Sequence, residues 1–208
     1  MLGVLRKWWK AEPEVASLDA FREFLSMQAV FASQKSVMGY CEVKAGTNRD
    51  QLFAEAEFRQ ALDFCRWESF AAVLADVLVL SYRLLRAHAD GRDAELLAAL
   101  ARLYPVILDS QPHPAHRAAH HTNGWDDLVA PFAARLEQLR LDGVAAPAEV
   151  ARTGARRILQ VLPIHENHRR TDREAIEGAV RFHLVAVWEA MTRQVDAPAL
   201  ASALLKED

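Results

Sequence analysis

The stretch FAAVLADVLVL, Phe70 to Leu80, carries one charged side chain, Asp76, and is otherwise apolar nearly all round a helix. A helix without a polar face has to be enclosed by other elements. Crossing a bilayer takes about 20 apolar residues, so a shorter run with an acid inside it belongs in a protein core. A chain of 208 residues, 51% apolar and 25% charged, can supply the surrounding layers.

Those layers read as helices, since alternating Val- and Ile-rich runs are nearly absent. Ser17 is placed to cap a helix running to about Ala45, with Gly46 as its stop. A second starts near Thr47 with a T-x-x-D pattern and carries Phe53, Phe58, Leu62 and Phe64. After a break near Cys65, the central helix runs from Trp67 to Arg86 and ends before Asp90-Gly91. Asp93 opens another to about Tyr104, where Pro105 kinks or stops it. Residues 109–125 read as irregular. Helices follow from Ala130 to Leu141, with Pro131 in the first turn, and from Pro147 to Leu162.

Pro163 then leaves IHENHRR as a loop, and Thr171-Asp-Arg-Glu174 reads as a capping box. It opens a helix striped by Ile176, Val180, Leu184, Val187, Trp188, Met191 and Val195, and Pro198 starts a short last one. The expected fold is all-α: a single bundle of about seven helices around a buried central helix of roughly residues 67–86. No low-complexity linker divides the chain. The expected organisation is therefore an amphipathic basic and aromatic segment, 1–13, followed by one all-α domain, 14–208.

The first ten residues, MLGVLRKWWK, sort cleanly on a helical wheel. Met1, Leu2, Val4, Leu5, Trp8 and Trp9 fall within an arc of roughly 160°, and Gly3, Arg6, Lys7 and Lys10 fill the other side. That pattern suits an anionic membrane surface, where each basic residue is worth about 1 kcal/mol, or an apolar groove on a protein. Leu2, Leu5, Arg6, Lys7, Trp8, Trp9 and Lys10 are thus candidate membrane or partner contacts. The segment lacks the apolar core and small-residue cleavage site of a secretory signal. The expected location is the cytoplasm, with the inner face of a membrane as the extension of that reading.

Four of the eight histidines lie in HPAHRAAHH, residues 113–121. A metal needs convergent donors, and His116 and His120 sit one helical turn apart. His165 and His168 form a second pair, so a four-nitrogen site requires the two segments to meet. Neither pair has the Glu of an HExxH motif, and the solvated loop is the plainer expectation. No cofactor is expected, with a metal on these histidines as the alternative. Cys41 and Cys65 lack CxxC spacing and read as reduced thiols.

Further candidates follow from misplaced polarity. Gln28, Gln34, Lys35 and Tyr40 lie on a helix of closely spaced small residues, and with Asp76 they outline a possible ligand pocket. Arg83, Arg86 or Lys35 are available to pair with Asp76. Arg152, Arg156, Arg157, Arg169, Arg170 and Arg173 flank the HENH loop and form a candidate contact for an anion or an acidic partner.

The net charge of −3, and a basic stripe without interleaved aromatics, argue against nucleic acid. There is no GxGxxG, P-loop or GxSxG. The expected role is a non-enzymatic accessory, adaptor or assembly protein that binds a protein partner. The alternative is a bundle-type enzyme or sensor with a metal or an apolar ligand inside. Oligomeric state stays open, since an apolar helix face serves a dimer as well as a core.

Overall fold

The computed structural model describes residues 15–118, 124–143 and 145–206. Among these residues the chain is all-α. Seven helices have eight residues or more: α1 (Leu18–Ala45), α3 (Ala56–Leu85), α4 (Asp93–Asp109), α6 (Asp126–Asp142), α7 (Pro147–Val161), α9 (Arg173–Gln194) and α10 (Ala197–Leu204). Three shorter ones, α2 (Arg49–Ala54), α5 (Ala115–Ala118) and α8 (Glu166–Thr171), connect them.

Helix α3 is the axis. From Phe70 to Leu80 every residue but Ala72 is buried. α1 and α7 pack along it most extensively, with α4, α9 and α10 completing the enclosure. α9 also packs on α7 and α1, and α6 covers α4. The chain before α1 is pinned to the end of α9, where Val15 N–H donates to the Gln194 carbonyl (2.8 Å) and Asp196 N–H donates to that of Val15 (3.1 Å). Ser17 caps α1 by accepting from Ala20 N–H, and Gly46 ends it at φ 52°.

Several boundaries differ from the sequence reading, each for a physical reason. α4 passes through Pro105 to Asp109. Burial of Leu103, Tyr104, Ile107 and Leu108 on both sides of the proline offsets its cost of about 3 kcal/mol. α6 starts at Asp126, so Pro131 lies within the helix, past its first turn. The chain breaks at Glu55 and not near Cys65, which lies inside a continuous α3.

IHENHRR is not a loop. His165 Nδ1 accepts from Asn167 N–H (3.2 Å) and so caps α8. The capping box does not form either. Thr171 Oγ1 donates back to the carbonyls of Asn167 and His168. Asp172 instead accepts from Tyr40 Oη at 2.5 Å and pairs with Lys44 Nζ at 2.5 Å, so a contact to α1 replaces the local cap.

Candidate functional site

Two surfaces and one buried network concentrate the chemistry. The first surface is a cleft of about 740 Å³ formed by α7, α8 and α9. α7 buries Val150, Ala151, Gly154, Ala155 and Ile158. Its opposite face therefore presents Arg152, Arg156 and Gln160, one turn apart, to solvent. α8 adds Glu166, Arg169 and Arg170, and the first turns of α9 add Arg173 and Glu177. Five of the six arginines singled out from sequence thus line one cleft.

Five arginines against two glutamates leave that lining at +3. Arg152, Arg156, Arg170 and Arg173 make no ion pair with a carboxylate among the described residues. Arg169 is tethered, with Nη2 donating to the Leu162 carbonyl at 3.0 Å while its buried Nε finds no acceptor. Arg157 does not join the cleft. One residue on from Arg156 it is turned by 100°, and it reaches Glu68 on α3 instead.

Glu68 was missed by the sequence reading. Its side chain is 2% exposed and is enclosed by two guanidinium groups and an imidazole. Arg117 donates through Nε (2.7 Å) and Nη2 (2.8 Å), Arg157 through Nη2 (2.5 Å), and His116 Nε2 lies at 3.0 Å. Burial alone would raise its pKa, but the bonds from Arg117, Arg157 and His116 overcome that and hold it near 2. Arg117 also pairs with Asp127 at 2.5 Å and stacks over Trp125. The available signal was an acid next to the apolar run, eight residues before Asp76 and about 80° round the helix from it.

Asp76 pairs with Arg135 of α6 at 2.7 Å and accepts from Gly154 N–H at 2.9 Å. Its partner is none of Arg83, Arg86 and Lys35. Full burial raises its pKa to about 6, against the opposing pull of Arg135 and Gly154. A Cβ at Gly154 would stand 2.5 Å from Asp76 Oδ2, so the close approach of α7 to α3 requires glycine there.

The remaining pocket candidates are scattered. Around α1, Gln28 and Lys35 share a direction while Gln34 and Tyr40 point two other ways. Gln34 lines a groove of about 330 Å³ with Trp67, Phe70 and Gln111. Tyr40 lines a separate cavity of about 170 Å³ with Cys41, Lys44, Phe58, Ile164 and His168. The thiols of Cys41 and Cys65 are buried and pushed up to about 11 and about 12, mainly by burial.

The histidine pairs are not brought together among the described residues. His116 is bound to Glu68, His165 caps its own helix, and His168 faces the small cavity. No three His, Cys, Asp or Glu side chains gather to hold a metal among those residues. His120 lies outside them, as do Leu2, Leu5, Arg6, Lys7, Trp8, Trp9 and Lys10.

The second surface is apolar. Met27 and Phe31 on α1 and Phe182 on α9 are 55%, 46% and 70% exposed. His183 joins them, its ring 5.7 Å from that of Phe31 and 5.4 Å from that of Phe182, edge-on to both. The residues one turn from Phe31 and Phe182 include no carboxylate: Gln28, Gln34 and Lys35 on α1, and Gly178, Ala179, Val185 and Ala186 on α9.

No family model, no curated protein and no solved structure matches this chain. No helix among the described residues is long and apolar enough to cross a membrane.

Proposed function

We propose that this chain is a non-enzymatic helical accessory or adaptor protein of the cytoplasm, which docks a protein partner on the apolar face shared by α1 and α9. The observation that carries this reading is the exposed group Met27, Phe31 and Phe182, with the His183 ring edge-on to those of Phe31 and Phe182. Methionine and aromatic residues are enriched at the centres of protein interfaces and carboxylates are depleted there, as at the positions one turn from Phe31 and Phe182. Contiguous exposed apolar patches on soluble domains mark interaction sites. The non-enzymatic part is supported by how the reactive groups are engaged. Glu68 is saturated by cations, Asp76 is paired in the interior, and both thiols are buried.

The test places a photo-crosslinking phenylalanine analogue at Phe182 in the full chain within its host cells. A discrete protein adduct is expected, lost when Phe31→Glu is added and not obtained from the same probe at Glu137 on α6. Phe31 is part-exposed, so the substitution leaves the fold intact by thermal melting. Absence of a protein adduct from position 182, or an equal yield from position 137, overturns the reading.

A further inference from the structure

The arginine-lined cleft is a separate surface from the α1–α9 face and carries its own inference. Its volume of about 740 Å³ lies in the range of small-ligand sites, far more than one inorganic anion fills. The guanidinium donors are spread over three helices: Arg152 and Arg156 one turn apart on α7, with Arg169, Arg170 and Arg173 facing them from α8 and the start of α9. Guanidinium groups match phosphate oxygens as two-pronged donors. A ligand with two phosphate monoesters carries about −3 to −4, which balances the +3 of the lining.

The two carboxylates narrow the ligand further. Glu166 and Glu177 stand among the arginines without an ion pair between themselves and those arginines. A site for bare phosphate or an acidic peptide has no use for them, since they repel both. Carboxylates accept hydrogen bonds from hydroxyls, and Leu159 in the same lining offers an apolar surface to ring carbons. We propose that this cleft binds a polyol bearing two phosphate groups, as a free sugar phosphate or as the headgroup of a phosphorylated lipid. The arginines hold the phosphates, and Glu166 and Glu177 select the hydroxyls.

The test is calorimetric titration of the full chain with fructose 1,6-bisphosphate, inorganic pyrophosphate and hexaglutamate at 0.1 M salt. The sugar bisphosphate is expected to bind at least tenfold tighter than either other probe. Arg156→Ala with Arg173→Ala lowers its affinity at least tenfold. Glu166→Ala with Glu177→Ala collapses its preference over pyrophosphate to near unity, a ratio that a purely electrostatic site would leave alone. All four positions are at the surface or half-exposed, so thermal melting should be unchanged.

Phosphatidylcholine vesicles with 5% phosphatidylinositol 4,5-bisphosphate, compared with vesicles matched in charge by phosphatidylserine, separate the sources. Tenfold preferential capture by the former assigns a lipid headgroup, and equal behaviour assigns the free sugar phosphate. Equal affinity for pyrophosphate or hexaglutamate, an unchanged preference in the glutamate variant, or no binding of the sugar bisphosphate at millimolar concentration overturns the proposal.

Discussion

Glu68 and Asp76 stand eight residues apart on α3, and both are closed off from water, yet their carboxyls move in opposite directions. Glu68 falls from an ordinary 4.5 to about 2, and Asp76 rises from 3.8 to about 6. Burial pushes both upward. The difference lies in what reaches them. Glu68 sits near the edge of the buried stretch, where the long side chains of Arg117, Arg157 and His116 converge from α5 and α7. Asp76 lies deeper and receives one guanidinium and one backbone N–H. Two carboxylates on one helix therefore differ by their count of donors rather than by their depth alone.

The sharpest way to break the contrast is to strip Glu68 of its main partner. Arg117→Met keeps the apolar stem against Trp125 but leaves the carboxylate short of two donors. Denaturant unfolding at pH 7 should show a loss of about 3–5 kcal/mol. Adding Glu68→Leu should restore a large part of it, because replacing a buried pair with apolar groups is far less costly than orphaning one member. A single-variant loss under about 1 kcal/mol would mean that packing rather than charge holds α5 to α3.

How much of this was legible in advance follows from the same two residues. The run around Asp76 announces a central helix because periodicity alone says it has no outward face, and that part of the fold was readable. The partner of Asp76 was not. Arg135 is 59 positions away and Gly154 is 78, and nothing local links either to it. Glu68 was overlooked because an acid at the end of an apolar run reads as the start of a solvated face. The arginine cleft was readable in part, since Arg152, Arg156 and Arg173 fall on the exposed sides of helices expected from the pattern, while Arg169 and Arg170 lie in α8, where a loop was expected. Arg157 was lost from it by a single 100° step. Local chemistry failed where other contacts competed for the same groups, as when Thr171 turned back onto the carbonyls of α8 and the neighbouring Asp172 was engaged by Tyr40 and Lys44 from α1.

The two carboxyls should also separate in pH. Glu68, with its pKa depressed, contributes stability that is full above about 4.5 and lost as pH falls toward 2, a span worth roughly 3 kcal/mol. Asp76, raised, binds its proton more tightly folded than unfolded. Its effect has the opposite sign: stability declines as pH rises from 3.8 through about 6, again by roughly 3 kcal/mol. Unfolding free energy measured from pH 3 to pH 7 should lose its decline between pH 4 and 6 in Asp76→Asn, while its acid limb remains. A decline that persists in Asp76→Asn would assign it to another group.

Gly154→Ala sharpens the Asp76 side at smaller cost. The new methyl group would meet Asp76 Oδ2 at 2.5 Å and Val73 Cγ2 at 3.3 Å, so α7 must shift outward and lengthen the Gly154 N–H bond. Overpacking of this kind costs about 2 kcal/mol. If the displaced N–H matters to the carboxylate, the cost should be smaller at pH 4, where Asp76 is protonated, than at pH 7. A penalty independent of pH would reduce the role of Gly154 to making room.

The smallest effect is expected from a carboxylate with a comparable ion-pair distance and no burial. Asp19 approaches Arg22 at 3.0 Å on α1, but its side chain is 93% exposed. Water solvates the Asp19 carboxylate whether or not it touches Arg22, and salt screens what attraction is left. Asp19→Ala should leave the denaturation midpoint at 0.15 M salt within experimental error, although the pair is nearly as close as the Arg117–Glu68 bonds at 2.7 and 2.8 Å. A shift approaching that of Arg117→Met would show that contact distance rather than exclusion of water sets the strength of these pairs, and would undo the explanation given for Glu68 and Asp76 together.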